Sequence, residues 1–175
     1  MKKIILLVGK SGSGKTTLAD ELQKMYGMTS IQSYTTRPKR SQNEVGHTFV
    51  TDEEFDKLTD IVAYTDYGGY RYCATAHQVE DNDVYVIDVK GVEFFKNNYH
   101  GTKQPIMCYI KCDENILTQR FINRGQTEED AKIRANIDSV EFAQAEQMAD
   151  YVFKNNNAVD LYRAANEIYK IWSKT

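Results

Sequence analysis

Residues 3–16 read Lys3-Ile4-Ile5-Leu6-Leu7-Val8-Gly9-Lys10-Ser11-Gly12-Ser13-Gly14-Lys15-Thr16, an apolar run that stops at a glycine-rich turn. The short, unbroken aliphatic run suits a strand buried on both faces. Leu18, Leu22 and Met25 then recur at helical spacing, so Lys15 to about Tyr26 is expected to be an amphipathic helix ending near Gly27. The turn between them, residues 9–16, fits G-x-x-x-x-G-K-[ST] and stands where that pattern must stand, between strand and helix. Glycines let successive backbone N–H groups turn inward around an anion, and the positive end of the helix dipole adds to them. In this arrangement Lys15 reaches the β- and γ-phosphates of a nucleotide. The Thr16 hydroxyl completes a magnesium ion's coordination, and Thr17 lies near the α-phosphate. Gly9, Lys10, Ser11, Gly12, Ser13 and Gly14 form the cradle; the bland alternative is a Gly/Ser turn that only caps a helix.

The rest of the chain continues the same rhythm. Further buried-strand candidates lie at about Ser30–Tyr34, Val84–Asp88 and Pro105–Lys111, with a helical piece at Val92–Asn98. Ile133, Ile137 and Val140 share a helical face, Tyr151–Phe153 reads as a last strand, and Leu161, Ala165, Ile168 and Trp172 share the face of a final helix. Alternating strands and helices predict an α/β fold, a three-layer sandwich around a parallel sheet. Thr35 to His77 breaks the rhythm with short aromatic and polar runs, a Thr51/Glu54 capping box and a Gly68-Gly69 turn, so an inserted subdomain of hairpins is expected there. The polar stretch RGQTEED, residues 124–130, reads as a flap.

Composition bounds what such a fold can do. The chain has 175 residues, enough for one core, with 41% hydrophobic and 27% charged residues, which excludes disordered and disulfide-scaffold classes. Twenty-two basic residues against 25 acidic ones give a net charge of -3, so no overall basic field draws the chain to nucleic acid or a membrane surface. Any anion must be held by a local cluster. The apolar run after Lys2 and Lys3 is too short for a secretion signal or a membrane span, so the chain is expected to be cytoplasmic. Cys108 and Cys112 are separated by ~13 Å if extended, beyond the ~7 Å reach of a disulfide. With Cys73 remote in sequence, three free thiols are expected.

Two further clusters carry charge where a nucleotide enzyme would use it. Asp88 ends the run Val84-Tyr85-Val86-Ile87-Asp88, at the strand edge where open α/β sheets bind ligands. It can hold magnesium through water, touch a substrate, or simply cap the following helix. Residues 33–40, Ser-Tyr-Thr-Thr-Arg-Pro-Lys-Arg, gather three cations, and Arg37 and Arg40 can fork onto one phosphate; otherwise the segment is a solvated basic loop.

Taken together, the phosphate loop, SYTTRPKR, Glu44 with Gly46 and Phe49-Val50, Tyr72, the VID strand end, LTQRFINRG and ADYVFKN resemble the guanylate kinase family in order and spacing over nearly the whole chain. SYTTRP is the most specific piece. The resemblance implies a P-loop nucleoside monophosphate kinase using ATP and Mg2+. Its core would comprise residues 1–34, 78–123 and 138–175, with an acceptor-binding insertion at 35–77 and a lid at 124–137. It assigns Ser33, Arg37, Arg40, Glu44 and Tyr72 to the acceptor monophosphate. Arg120 and Arg124 fall near ATP and the transferring group, Arg134 on the closing lid, and Asn155 near the adenine. Arg37, Arg120, Arg124 and Arg134 thereby join Lys15 as expected catalytic cations; the bland reading for Arg120 and Arg134 is surface ion pairing with nearby acids. The implied product is GDP or dGDP, made by a monomer or homodimer.

The base-reading side departs from the family. Ala63 stands where the family carries the guanine-binding carboxylate, Ala74 where it carries a hydroxyl, and Lys90 where it carries a second strand-end acid. Asp66 is the nearest acid to replace the first. His47 replaces a phosphate-binding tyrosine and reads equally as a surface histidine. Tyr64, Tyr67, Tyr70 and Tyr72 can stack a base or pack a hairpin. The departures keep open another nucleoside monophosphate or a phosphorylated sugar as acceptor. A non-catalytic binding module is the remaining alternative, against which Lys15 and Thr16 speak.

Overall fold

The computed structural model describes residues 1–174. Strand β1, Lys3–Val8, lies inside a four-stranded parallel sheet between β6 (Val84–Val86) and β7 (Gln104–Lys111), with β8 (Tyr151–Lys154) beyond β7. Its alternating side chains serve two cores, as a strand covered on both faces must. Ile4, Leu6 and Val8 join Phe95, Tyr99 and Phe142 on one side. Ile5 and Leu7 join Leu18, Leu22, Ala165 and Ile168 on the other. Helices α1 (Lys15–Tyr26) and α8 (Ala158–Ser173) cover the second face; α4 (Val89–Asn98) contributes to the first. The three-layer α/β sandwich is therefore observed, and among the described residues no helix is long and apolar enough to cross a membrane.

A second sheet holds β3 (His47–Phe49), β2 (Ser33–Thr35), β5 (Tyr70–Thr75) and β4 (Ile61–Tyr67), in that order. β4 and β5 form an antiparallel hairpin whose turn residues, Gly68 and Gly69, both have positive φ, 60° and 80°. Short helix α2 (Asp52–Phe55) opens with the Thr51/Glu54 capping box and is tied to β5 by Arg71, which pairs with Asp52 and Asp56 and lies over the Phe55 ring.

One expectation needs correction. The core strand expected at Ser30–Tyr34 is only a bridge from Ser30 to Val84; Ile31 enters the core there, and the chain then leaves so that Ser33–Thr35 joins the second sheet. The run thus crosses from one sheet to the other, with one residue bridged to the core sheet and three paired in the second. The flap at 124–130 is half helix: α5 (Glu114–Asn123) ends before it, Gly125 turns with φ 85°, and a Thr127/Asp130 capping box starts α6 (Glu128–Glu141). That helix continues through residue 137 to Glu141. Ile133, Ile137 and Val140 do share a face of α6, and it is the outer one: they are 54%, 49% and 80% exposed. After α7 (Ala145–Met148) the chain enters β8. All three cysteines are free, with Cys73 and Cys108 buried and Cys112 half-buried.

Candidate active site

A cleft of about 400 Å³ separates the carboxyl ends of β1 and β6 from the second sheet. Its floor is the phosphate loop, its far wall carries Ser33, Arg40, His47 and Tyr72, and its side is closed by Tyr67, Asp88, Arg134 and Glu141.

The loop is wound too tightly for side chains at two glycines. A Cβ on Gly9 would lie 2.5 Å from the Ile110 carbonyl oxygen, and one on Gly14, whose φ is 89°, would lie 2.4 Å from Asn155 Nδ2. Gly14 is the N-cap of α1 and offers no capping side chain, so the first-turn N–H groups of this twelve-residue helix have no side-chain cap. The Lys15 ammonium folds back over the loop and donates to the Gly9 and Lys10 carbonyls at 2.6 and 3.1 Å. Burial pushes it down to about 8, an effect opposed by Asp138 and Asp88 and reinforced by Arg134 and Arg124. Thr16 and Thr17 are exposed on the first turn of α1, and Lys10 reaches out to Glu114 at 3.3 Å.

The cations divide into those that face the cleft and those already engaged. Arg134 and Arg40 line it, and Arg124, exposed at the end of α5, is close enough to Lys15 to oppose its charge. Arg120 was expected beside ATP, but both ends of its guanidinium hold backbone: Nη1 donates to the Gly12 carbonyl and Nη2 to that of Asn155, each at 3.0 Å. Its partners are loop carbonyls, not the surface acids considered above. Asn155, expected near the adenine, is 3% exposed and donates Nδ2 to the Ser13 carbonyl at 2.8 Å. Both residues brace the loop from behind.

Arg37 departs furthest from the expected phosphate fork. It is buried, and its Nη1 and Nη2 donate to the two Glu44 carboxylate oxygens at 3.2 and 2.8 Å. The Glu44 carboxylate also accepts the Arg40 N–H, and these bonds hold its pKa down to about 2. Glu44 thus occupies the bidentate face of Arg37 and shapes the turn that presents Arg40. Ser33 is buried and its hydroxyl is 3.0 Å from His47 Nδ1, while His47 packs edge-on against Tyr72. Burial, then the Arg37 charge, lowers the His47 pKa, so its imidazole is neutral at pH 7. His47 is a wall of the cleft and not a surface histidine.

On the base-reading side, Ala63 and Ala74 are buried within the sheet. Asp66 lies outside the main cleft, in an adjoining groove with Lys90, and its carboxylate accepts from the Tyr64 hydroxyl, 3.0 Å from both oxygens. Tyr64 itself packs between Phe55 and Phe94. Asp88 caps α4, accepting the Gly91 N–H at 2.6 Å, and also accepts from Thr65 at 3.3 Å. It nevertheless lines the cleft, so the capping and ligand-facing readings coexist. Two residues escaped the sequence reading. Glu141 is half-buried, its carboxyl raised by burial and the neighbouring Asp88. Asp138 is 1% exposed beneath the loop. The only signal for Asp138 was its i,i+4 spacing from Arg134, a pattern usually found on solvated faces.

Comparison with known proteins agrees with this architecture. A family profile described as "AAA domain" matches residues 5–149. The chain is 31% identical to a guanylate kinase of Clostridium tetani over 183 residues, covering 97% of this chain and 83% of that protein. It is 25% identical to a guanylate kinase of Helicobacter pylori over 169 residues, covering 88% and 80%. The crystal structure of guanylate kinase from Anaplasma phagocytophilum superposes with a TM-score of 0.68 at 22% identity, over 99% of this chain and 88% of that one, which speaks to the fold. A phosphate loop closing a parallel sheet, an inserted second sheet and this breadth of similarity together make the chain a member of the guanylate kinase family.

Proposed function

We propose that this kinase transfers the γ-phosphoryl group of ATP to GMP or dGMP, giving ADP and the corresponding diphosphate. The observation that carries the reading is the convergence on one cleft of the Lys15 phosphate loop and the Ser33, Arg40, His47 and Tyr72 wall. The first suits a triphosphate and the second a monophosphate.

Phosphoryl transfer asks a protein chiefly for alignment and charge neutralisation. Lys15, Arg124 and Arg134 supply positive charge on the donor side, and Arg40 with the Ser33, His47 and Tyr72 donors holds the acceptor phosphate. That phosphate is already ionised near neutral pH, so its oxygen attacks without a protein base. Among the described residues no cluster of three His, Cys, Asp or Glu side chains could hold a metal ion. The exposed Thr16 hydroxyl fits magnesium, which takes most of its ligands from phosphates and water. When bound, the metal would neutralise negative charge on the phosphates. Asp88 and Glu141 are the carboxylates available in the cleft to accept from the N–H edge of guanine, in place of the acid missing at Ala63. We assign residues 35–77 to acceptor binding, 124–137 to a lid and the remainder to the core. Three free thiols suit the reducing cytoplasm, as a monomer or homodimer.

The test is turnover of a panel of nucleoside monophosphates and phosphorylated sugars with ATP and magnesium, read as ADP release. GMP or dGMP should lead the panel, and Lys15→Ala should abolish transfer while leaving the circular dichroism spectrum intact. No turnover of either guanine nucleotide beside strong turnover of another acceptor would refute the assignment.

A further inference from the structure

Helix α6 buries Ala131 and Asp138 but turns its largest aliphatic side chains outward. Its Ile133, Ile137 and Val140 face solvent while Asp138, on the opposite face, is 1% exposed. A helix ordinarily turns its apolar stripe inward, and an uncompensated buried carboxylate is strongly destabilising. Asp138 is compensated by two groups. Its Oδ2 accepts the Ser11 backbone N–H at 2.7 Å, and Oδ1 lies 2.9 Å from Arg134 Nε. That Nε directs its hydrogen to the Ser11 hydroxyl at 2.8 Å, so Oδ1 feels the charge of Arg134 without a directed hydrogen bond. Asp138, Arg134 and Ser11 thus close a ring that joins α6 to the phosphate loop. At its other end the guanidinium is 5.2 Å over the Tyr67 ring, with Nη1 donating to the Tyr67 hydroxyl.

We propose that Asp138 is a positioning residue: it fixes the inner edge of Arg134, against the outer hold of Tyr67, so that the guanidinium stands in the cleft between the phosphate loop and the acceptor wall. The inference rests on the kinase reading for what Arg134 does there, but the anchoring itself follows from the contacts. An arginine on a helix surface has wide rotamer freedom, and a misplacement of ~1 Å near the chemistry costs on the order of 100-fold in rate. The other acids near Arg134 on α6 are less suited to replace Asp138: Asp130 is bonded to Thr127, and Glu141 lies seven residues on.

Asp138→Asn tests this. It keeps size and an acceptor for the Ser11 N–H but removes the charge that holds Arg134, whereas Asp138→Ala would also open a hole under the loop. Wild-type turnover with the acceptor panel is measured first and decides the kinase reading separately. Asp138→Asn should then lower kcat roughly 10- to 100-fold while the KM values for ATP and acceptor stay within about threefold. In an Arg134→Ala background the same substitution should cost almost nothing, because the group it positions is gone. A merely structural role would give the same loss in both backgrounds, and either that result or an unchanged kcat overturns the proposal. Limited trypsin digestion reads the anchoring without any turnover. Cleavage after Arg134 should be faster by about tenfold in Asp138→Asn if the ring docks α6, and cleavage at the wild-type rate counts against it.

Discussion

Gly14→Ala offers the sharpest test of how the phosphate loop is held. At φ 89° the residue sits in the left-handed region, which costs a side-chain-bearing residue about 1–2 kcal/mol. The new Cβ would also fall 2.4 Å from Asn155 Nδ2, while the next group outside Asn155, Arg120 Nη1, is 3.7 Å away. Asn155 is buried and bonded to the Ser13 carbonyl, so pushing it aside leaves a buried donor and acceptor unmatched, at about 1–3 kcal/mol. The two effects sum to about 2–5 kcal/mol. Urea unfolding followed by circular dichroism measures the loss, provided the slope with denaturant is unchanged. The decisive comparison is the same substitution in an Asn155→Ala background, where the amide is absent and only the backbone cost of about 1–2 kcal/mol should remain. Equal losses in the two backgrounds, or a loss below about 1 kcal/mol in the wild type, would show that Asn155 does not brace the loop at Gly14.

Other expectations follow from the same contacts. Glu44, held down to about 2 by Arg37 and the Arg40 N–H against an ordinary value of 4.5, binds fewer protons folded than unfolded across that interval. Its stabilisation is therefore present above about pH 4.5 and lost as pH falls toward 2; Glu44→Gln should flatten that part of a urea-midpoint profile, and an unaltered slope would dismiss the pair. Ser13 Oγ is fully buried without a hydrogen-bond partner, so Ser13→Ala should hold stability or raise it by up to ~1 kcal/mol, and a clear loss in urea would reveal an unrecognised partner. Glu141→Gln should raise the KM for GMP by roughly tenfold or more, since a charged hydrogen bond is worth about 1.5–3 kcal/mol, with the KM for ATP little changed. Steady-state kinetics with unchanged GMP affinity would remove Glu141 from the base site.

Local pattern was sufficient wherever a residue's role depends on its immediate neighbours. The strand before Gly9, the helix from Lys15 to Tyr26 and the two-glycine turn of the hairpin were all legible because periodicity, glycine placement and turn chemistry act over a few residues. Resemblance located the cationic positions but not their partners. Arg37 and Arg120 carry the right charge at the right place in the chain, yet one is clasped by Glu44 and the other holds the carbonyls of Gly12 and Asn155. Those partners lie 7, 108 and 35 residues away.

The layered α/β fold and the anion-binding loop were legible along the chain, because both follow from short-range apolar runs and from glycines that only a tight turn requires. Tertiary structure decided which charges remain available to a substrate. It turned the apolar stripe of α6 outward and Asp138 inward, since the fate of a carboxylate depends on whether an N–H such as that of Ser11 and a cation such as Arg134 meet it after folding. Contacts between Ser11 and Asp138 span 127 residues, and no periodicity within either segment records them.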